Sequence, residues 1–245
     1  MMNQPELLRG LLRDLDQITD HEVHEIIAGD CGHLVAVDSA RMGIASWALH
    51  HPVPARELPL PGAAKSAKDL AQSLLSEDPM EATLGLACLN SMLPPPPLQK
   101  LRAIKAQDLI LRYGRGKNVA VIGHFPFVAK LGGEFNQFSV LEKSPRPGDL
   151  HAEQAPNVLP SADLVAISAT TLANGTLAEI LAWCSPSAMK ILLGPSTPLT
   201  PTLFVYGINI LAGCLVENRG LVKQGILTGR SFKQLQGIRH VVWEM

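Results

Sequence analysis

Five short, nearly continuous apolar runs constrain the fold of this chain more than any other feature: Val119–Ile122, Phe138–Leu141, Leu164–Ile167, Ile191–Leu193 and Ile210–Val216. Runs this brief are strand-sized, and apolarity without alternation marks strands covered on both faces. Helical or loop segments separate them, which predicts a parallel sheet with crossovers on both sides, a Rossmann-like α/β unit. The segment Leu98 to about Tyr113 reads as a helix leading into it.

Upstream, the pattern changes. Leu7, Leu8, Leu11, Leu12, Leu15 and Ile18 recur at three and four, predicting an amphipathic helix from Glu6 to Thr19. Val23–Ala28, Leu34–Val37 and Gly43–Leu49 are β-favouring runs broken by turn residues, the signature of a small antiparallel meander. Pro52, Pro54, Pro59, Pro61 and Gly62 then interrupt regular structure. Ser66 can cap a helix through Leu75, and Asp78-Pro79 can open another through Met92. Pro94–Pro97 favours stiff polyproline II and marks the division between residues 1–95, an α+β domain, and residues 96–245, the Rossmann-like domain. The fold class is therefore α/β.

Composition narrows the function. With 21 Lys+Arg against 22 Asp+Glu the net charge is −1, which lacks the broad basic footprint of a nucleic-acid or anionic-membrane partner. The most apolar stretch, Leu203–Val216, is too short for a membrane span and contains Asn209. The first six residues carry no basic n-region or apolar h-region, so a cytoplasmic location is expected. Cys31, Cys88, Cys184 and Cys214 form no C-x-x-C pair and read as reduced, packed thiols.

Ligands of such a sheet bind beyond the carboxyl ends of its strands, so the residues following each run are the candidates. Gly123-His124-Phe125-Pro126 follows the first run where a dinucleotide fold carries G-x-G-x-x-G; only one glycine is present, although Pro126 can open a helix with a free N-terminus. Glu142 follows the second run about where a ribose-binding acid is found, and Asp149 shares its loop; a surface ion pair with Lys143 or Arg146 is the plain alternative for Glu142. The third loop supplies Thr170, Thr171 and Asn174, while Thr176 with Glu179 has the form of a capping box. The fourth, Gly194-Pro195-Ser196-Thr197-Pro198-Leu199-Thr200-Pro201, offers Ser196 and Thr197 on a stiff backbone, with Thr200 and Pro201 suited to a helix start.

The Gly123–Pro126 run, the Thr170–Leu177 stretch and above all Gly194-Pro195-Ser196-Thr197-Pro198-Leu199, with Pro201 and Phe204 after it, resemble a prokaryotic family described as heavy-metal chelation proteins. The resemblance spans essentially the whole chain. It implies an N-terminal domain like that of enolase followed by a Rossmann-like domain, and Leu86-Ala87-Cys88-Leu89-Asn90 looks like the family's Asn-bearing helix. It also implies a metal role.

Among the eight histidines, His21-x-x-His24 falls on a predicted strand, where the two rings point to opposite faces, and His50-His51 has no carboxylates at a familiar spacing. His124 faces the same crevice as Glu142, Asp149 and the Thr/Ser loops, so His124 and Glu142 are the candidate metal ligands, suited to a divalent transition metal such as zinc, nickel, cobalt or ferrous iron. No G-x-S-x-G elbow or P-loop occurs. The first reading is a binder of a small-molecule or metal ligand, using His124, Phe125, Glu142, Asp149, Thr170, Thr171, Asn174, Ser196 and Thr197, with Asn90 closing the crevice from the first domain. The second is an enzyme acting on a nucleotide-like or small-metabolite substrate, with His124 as acid/base and Glu142 reading a ribose. A third makes the loops an oligomerisation surface, and a homo-oligomer fits each of the three.

Overall fold

In the computed structural model, Asn3 opens α1 (Gln4–Arg13) by accepting a hydrogen bond from the Glu6 amide at 2.9 Å, with Pro5 in the first turn. The structure describes residues 3–29, 34–47, 55–59 and 66–245. Cys31, His33, Leu49, His50, His51, Pro52, Pro54, Pro61 and Gly62 lie outside the described residues. Helix α1 ends at Arg13 rather than Thr19, where its hydrogen bonds tighten to the residue three back, and the Asp14 side chain accepts from Thr200 at 2.5 Å and Thr202 at 2.6 Å. Tight turns carry the chain on to Ile18, so Leu15 still enters the core.

A four-stranded antiparallel sheet follows, β1 (Glu25–Ala28), β2 (Leu34–Asp38), β3 (Met42–Ser46) and β4 (Arg56–Leu58), in the order β3-β2-β1-β4. Its residues alternate between two apolar clusters. Ile26, Val35 and Val37 face the main core, while Ile27, Ala36 and Ile44 face the other way. α2 (Ala67–Gln72) is capped by Ser66, and α3 (Pro79–Met92) by Asp78, whose carboxylate accepts from the Met80 and Glu81 amides. α3 lies so close to β3 that a Cβ on Gly43 would sit 2.1 Å from the Ala87 carbonyl oxygen.

The second sheet has eight strands. After β5 (Leu101–Arg102) and α4 (Ala106–Gly114) come β6 (Asn118–Ile122), β7 (Gln137–Glu142), β8 (Leu150–His151), α5 (Ala155–Val158) and β9 (Leu164–Ser168). The chain continues through α6 (Thr170–Ala173), α7 (Leu177–Trp183), β10 (Met189–Leu193), α8 (Thr202–Val205), β11 (Ile210–Val216), α9 (Arg219–Leu227) and β12 (Ile238–Glu244). The order is β5-β12-β11-β10-β9-β6-β7-β8. Strands β6 to β11 are parallel, and each strand's residues point alternately to the two cores: in β9, Val165 and Ile167 to one, Leu164 and Ala166 to the other.

Three expectations are corrected here. The sheet is mixed, since β12 pairs antiparallel with both β11 and β5. The helix expected from Leu98 begins only at Ala106, because Leu101 and Arg102 pair with Trp243 and Val242 of β12. No α-helix follows Pro126: the β6–β7 crossing is made of 3-10 turns at Val128–Lys130 and Gly132–Glu134. Finally, α9 of the second part covers the outer face of the small sheet, with Val222 and Ile226 against Ile27 and Ile44, so the two sheets are packed through a shared interior. No described helix is long and apolar enough to cross a membrane.

Candidate functional site

β6, β7 and β9 end side by side, and the turns leaving them line a cavity of about 380 Å³. At the end of β6, Gly123 takes φ +99, a conformation costly for other residues, and a Cβ there would press within 3.1 Å of the Ser168 side chain. This sharp turn aims His124 and Phe125 into the cavity. Phe125 stacks on Phe127, with ring centroids 5.3 Å apart, which stiffens that wall.

His124 is fixed from two sides. Its backbone N–H donates to Glu142 Oε2 at 2.9 Å, and its Nδ1 lies 2.8 Å and 3.1 Å from the two oxygens of Asp149. Only 18% of the His124 side chain and 4% of the Asp149 side chain are exposed. Asp149 is held by a tight turn in which Gly148 has φ +93 and the Arg146 amide donates to Asp149 Oδ2 at 3.0 Å. A carboxylate on Nδ1 selects the tautomer with the proton there, so Nε2 is the nitrogen left with a lone pair. Glu142 accepts from His124 N with one oxygen and from Lys143 N, at 2.7 Å, with the other.

The opposite wall comes from the segment after β9. Ser168 Oγ and Thr170 Oγ1 are 2.8 Å apart, and Thr171 Oγ1 donates to the Ser168 carbonyl at 2.6 Å. Thr176 stands at the N-cap position of α7, but its hydroxyl donates to Asn174 Oδ1 at 2.7 Å and caps nothing, so the expected capping box is not formed. Its φ of −104 and ψ of −8 keep the backbone out of the extended cap conformation. Glu179 and Trp183, four apart on α7, complete the lining.

The sequence candidates thus divide. His124, Phe125, Glu142, Thr170, Thr171 and Asn174 share this cavity, and Asp149 stands behind His124. Ser196 is instead a joint: buried to 1% exposure, its Oγ accepts from the Ser46 amide at 2.8 Å and ties the β10 loop to β3. Thr197 donates to the Ala212 carbonyl at 3.3 Å, and Asn90 donates from Nδ2 to the Ile44 carbonyl at 3.0 Å; both face a different cavity. Ser168, Glu179 and Trp183 carried a readable signal that went unused: Ser168 directly follows an apolar run, and the other two share one helical face.

His21 and His24 are exposed and lie in the loop before β1, not on a strand. Among the described residues no group of three or more His, Cys, Asp or Glu side chains converges as a metal site. Burial pushes the thiols of Cys88 and Cys214 up to about 12 and that of Cys184 to about 11. The residues at the cavity therefore do not make a cage for a bare cation.

A model of the DUF364 family, described as "Putative heavy-metal chelation", matches residues 105–243, and that of DUF4213, with the same description, matches residues 13–93. An uncharacterized protein of Methanocaldococcus jannaschii is 30% identical over 154 residues, and the match covers 60% of each chain. A DUF364-family protein of unknown function from Desulfitobacterium hafniense has the same fold, with a TM-score of 0.79, 24% identity and 98% of both chains covered. Another from Pyrococcus horikoshii gives a TM-score of 0.74 and 21% identity over 100% of both chains. With more than half of its 245 residues inside the first of these models, the chain belongs to the DUF364 family.

Proposed function

We propose that the crevice at the ends of β6, β7 and β9 binds a small metal chelate, with His124 Nε2 entering the coordination sphere of an ion whose other donors arrive with the ligand. The observation that carries this reading is the Asp149–Nδ1 contact, which orients the ring so that Nε2 is presented in a fixed direction. A single protein donor beside a 380 Å³ cavity suits a chelated divalent transition metal better than a naked ion. Phe125 gives the chelator an apolar face, and Thr170, Thr171, Asn174 and Glu142 surround its polar groups. The division at residues 95 and 96 belongs to the same reading, supported by family models that flank the Pro94–Pro97 run, and so does a cytoplasmic location, which follows from the sequence reading alone.

Calorimetric titration with nickel–nitrilotriacetate, a chelate with open coordination positions, tests it. The expected result is one site that binds the complex more tightly than aqueous nickel and disappears in His124→Ala. Equal binding by the variant, or none by the native chain, overturns the proposal.

The same contact favours a second reading, an enzyme in which His124 Nε2 takes up a proton from a small metabolite while Asp149 stabilises the imidazolium. For a nucleotide-like substrate Glu142 would receive a sugar hydroxyl. Thermal stabilisation by nucleosides or S-adenosylmethionine, lost in Glu142→Gln, distinguishes this reading from the first.

A further inference from the structure

A second cavity, about 200 Å³ and sharing no lining residue with the first, lies between the start of β3, the Pro94–Pro96 segment after α3 and the end of β11. Its walls are apolar, with Ile44, Pro95, Leu98, Leu199 and Leu215, and Leu98 remains 62% exposed there. Charge sits only at the rim. Three guanidinium groups gather in this region, and two are already paired: Arg239 with Glu217 at 2.8 Å and Arg219 with Asp38 at 2.7 Å. Arg41 is the third. Its Nη2 donates to the Met92 carbonyl at 2.6 Å, and among the described residues no carboxylate forms an ion pair with it. Arg41 is solvent-exposed as a residue, and partial burial of its guanidinium together with the nearby charge of Arg219 pushes it below its ordinary value.

We propose that this second cavity binds a small monocarboxylate with an apolar body, the carboxylate completing the set of ion pairs on Arg41. A guanidinium anchored by one N–H keeps further donors in a planar fork that matches a carboxylate. Inside, the other polar side chains are largely engaged, and one acceptor, Asn90 Oδ1, is buried without a hydrogen-bond partner among the described residues. The Thr197 hydroxyl is tied to Ala212, the Asn90 amide to Ile44, and the Cys214 thiol, pushed up to about 12 by burial, is uncharged at neutral pH. A second carboxylate would therefore lose water without gaining a partner, because the remaining Asn90 oxygen can accept but not donate. Volume sets the scale: the cavity is smaller than those that take drug-sized ligands.

The test follows backbone amide shifts of Gly43, Leu98 and Val216 in the ¹⁵N-labelled full chain during titration with 4-methylpentanoate, its neutral amide and succinate. Saturable shifts with the monocarboxylate are expected, with affinity at least tenfold weaker for the amide and for succinate. Arg41→Gln should weaken the monocarboxylate at least tenfold, Arg41→Lys should restore part of the loss, and His124→Ala should leave the titration unchanged. Equal affinity for acid and amide, no response to the acid, or an unaltered titration in Arg41→Gln overturns the proposal. The acid–amide comparison on the native chain stands even where a variant misfolds. Because His124 is outside this cavity, the outcome is separate from that of the chelate titration.

Discussion

Asp149, with 4% of its side chain exposed, stands 2.8 Å from Nδ1 of His124 and fixes which nitrogen that ring offers to the crevice. Asp149→Asn keeps the shape but not the charge, and an amide can donate as readily as accept. The variant is expected to bind nickel–nitrilotriacetate 10- to 100-fold more weakly, on the order seen when an outer-shell partner is lost. Calorimetry of Asp149→Asn beside His124→Ala checks this; the Asn variant should retain residual binding that the Ala variant lacks.

Asp14 links α1 to the loop before α8 through its hydrogen bonds from Thr200 and Thr202, and Thr200 is only 3% exposed. Asp14→Ala leaves a buried hydroxyl without its acceptor. The expected loss is about 2 kcal/mol, or roughly 4–8 °C in Tm for a chain of this size. Calorimetric melting of the two proteins measures it.

Gly43 is required for space, not for backbone conformation. A Cβ there would meet the Ala87 oxygen at 2.1 Å and the Ser91 nitrogen at 2.3 Å, both in the backbone of α3. Gly43→Ala must push β3 and α3 apart and is expected to cost about 3 kcal/mol or to abolish folding. Gly133→Ala, where a Cβ meets nothing within 4 Å, is the control and should be near neutral in urea denaturation.

The three described thiols predict an alkaline limit to stability. Their folded values, about 12 for Cys88, 11 for Cys184 and 12 for Cys214, lie above the ordinary 9.0, so folding favours the protonated form. Their contribution is complete below about pH 9 and is lost as pH rises toward 11–12, because the unfolded chain ionises first. The native chain should lose more of its urea midpoint between pH 8.5 and 11 than the triple Cys→Ala variant does. At neutral pH all three should react slowly with iodoacetamide.

Where burial is continuous, sequence and structure agree closely. The five apolar runs became the parallel strands β6, β7, β9, β10 and β11, and the stripe from Leu7 to Leu12 became the buried face of α1. β12 escaped because it is read from both sides: Arg239 and Glu244 make ion pairs while Val241 and Val242 are buried, so no single period dominates. β5 is two residues long and exists only by pairing with β12, a contact between positions far apart in the chain. At the site, the rule that ligands lie at strand ends gathered six of the ten candidates around one cavity. It could not tell that the hydroxyl of Ser196 would be consumed in holding β3, or that Asn90 and Thr197 would open onto a separate space, since both depend on how the two sheets meet.

The 3-10 turns that carry the chain from β6 to β7 also bear on competition inside a cell. Nucleotide cofactors are abundant anions, and Rossmann-like sheets whose first crossover begins with an α-helix offer their phosphates a ready seat. Here a single glycine, a histidine and a phenylalanine occupy that corner, and no α-helix lies between β6 and β7. At that corner of the crevice a ligand therefore meets side chains, His124 and Phe125, where such a crossover would have offered it backbone amides.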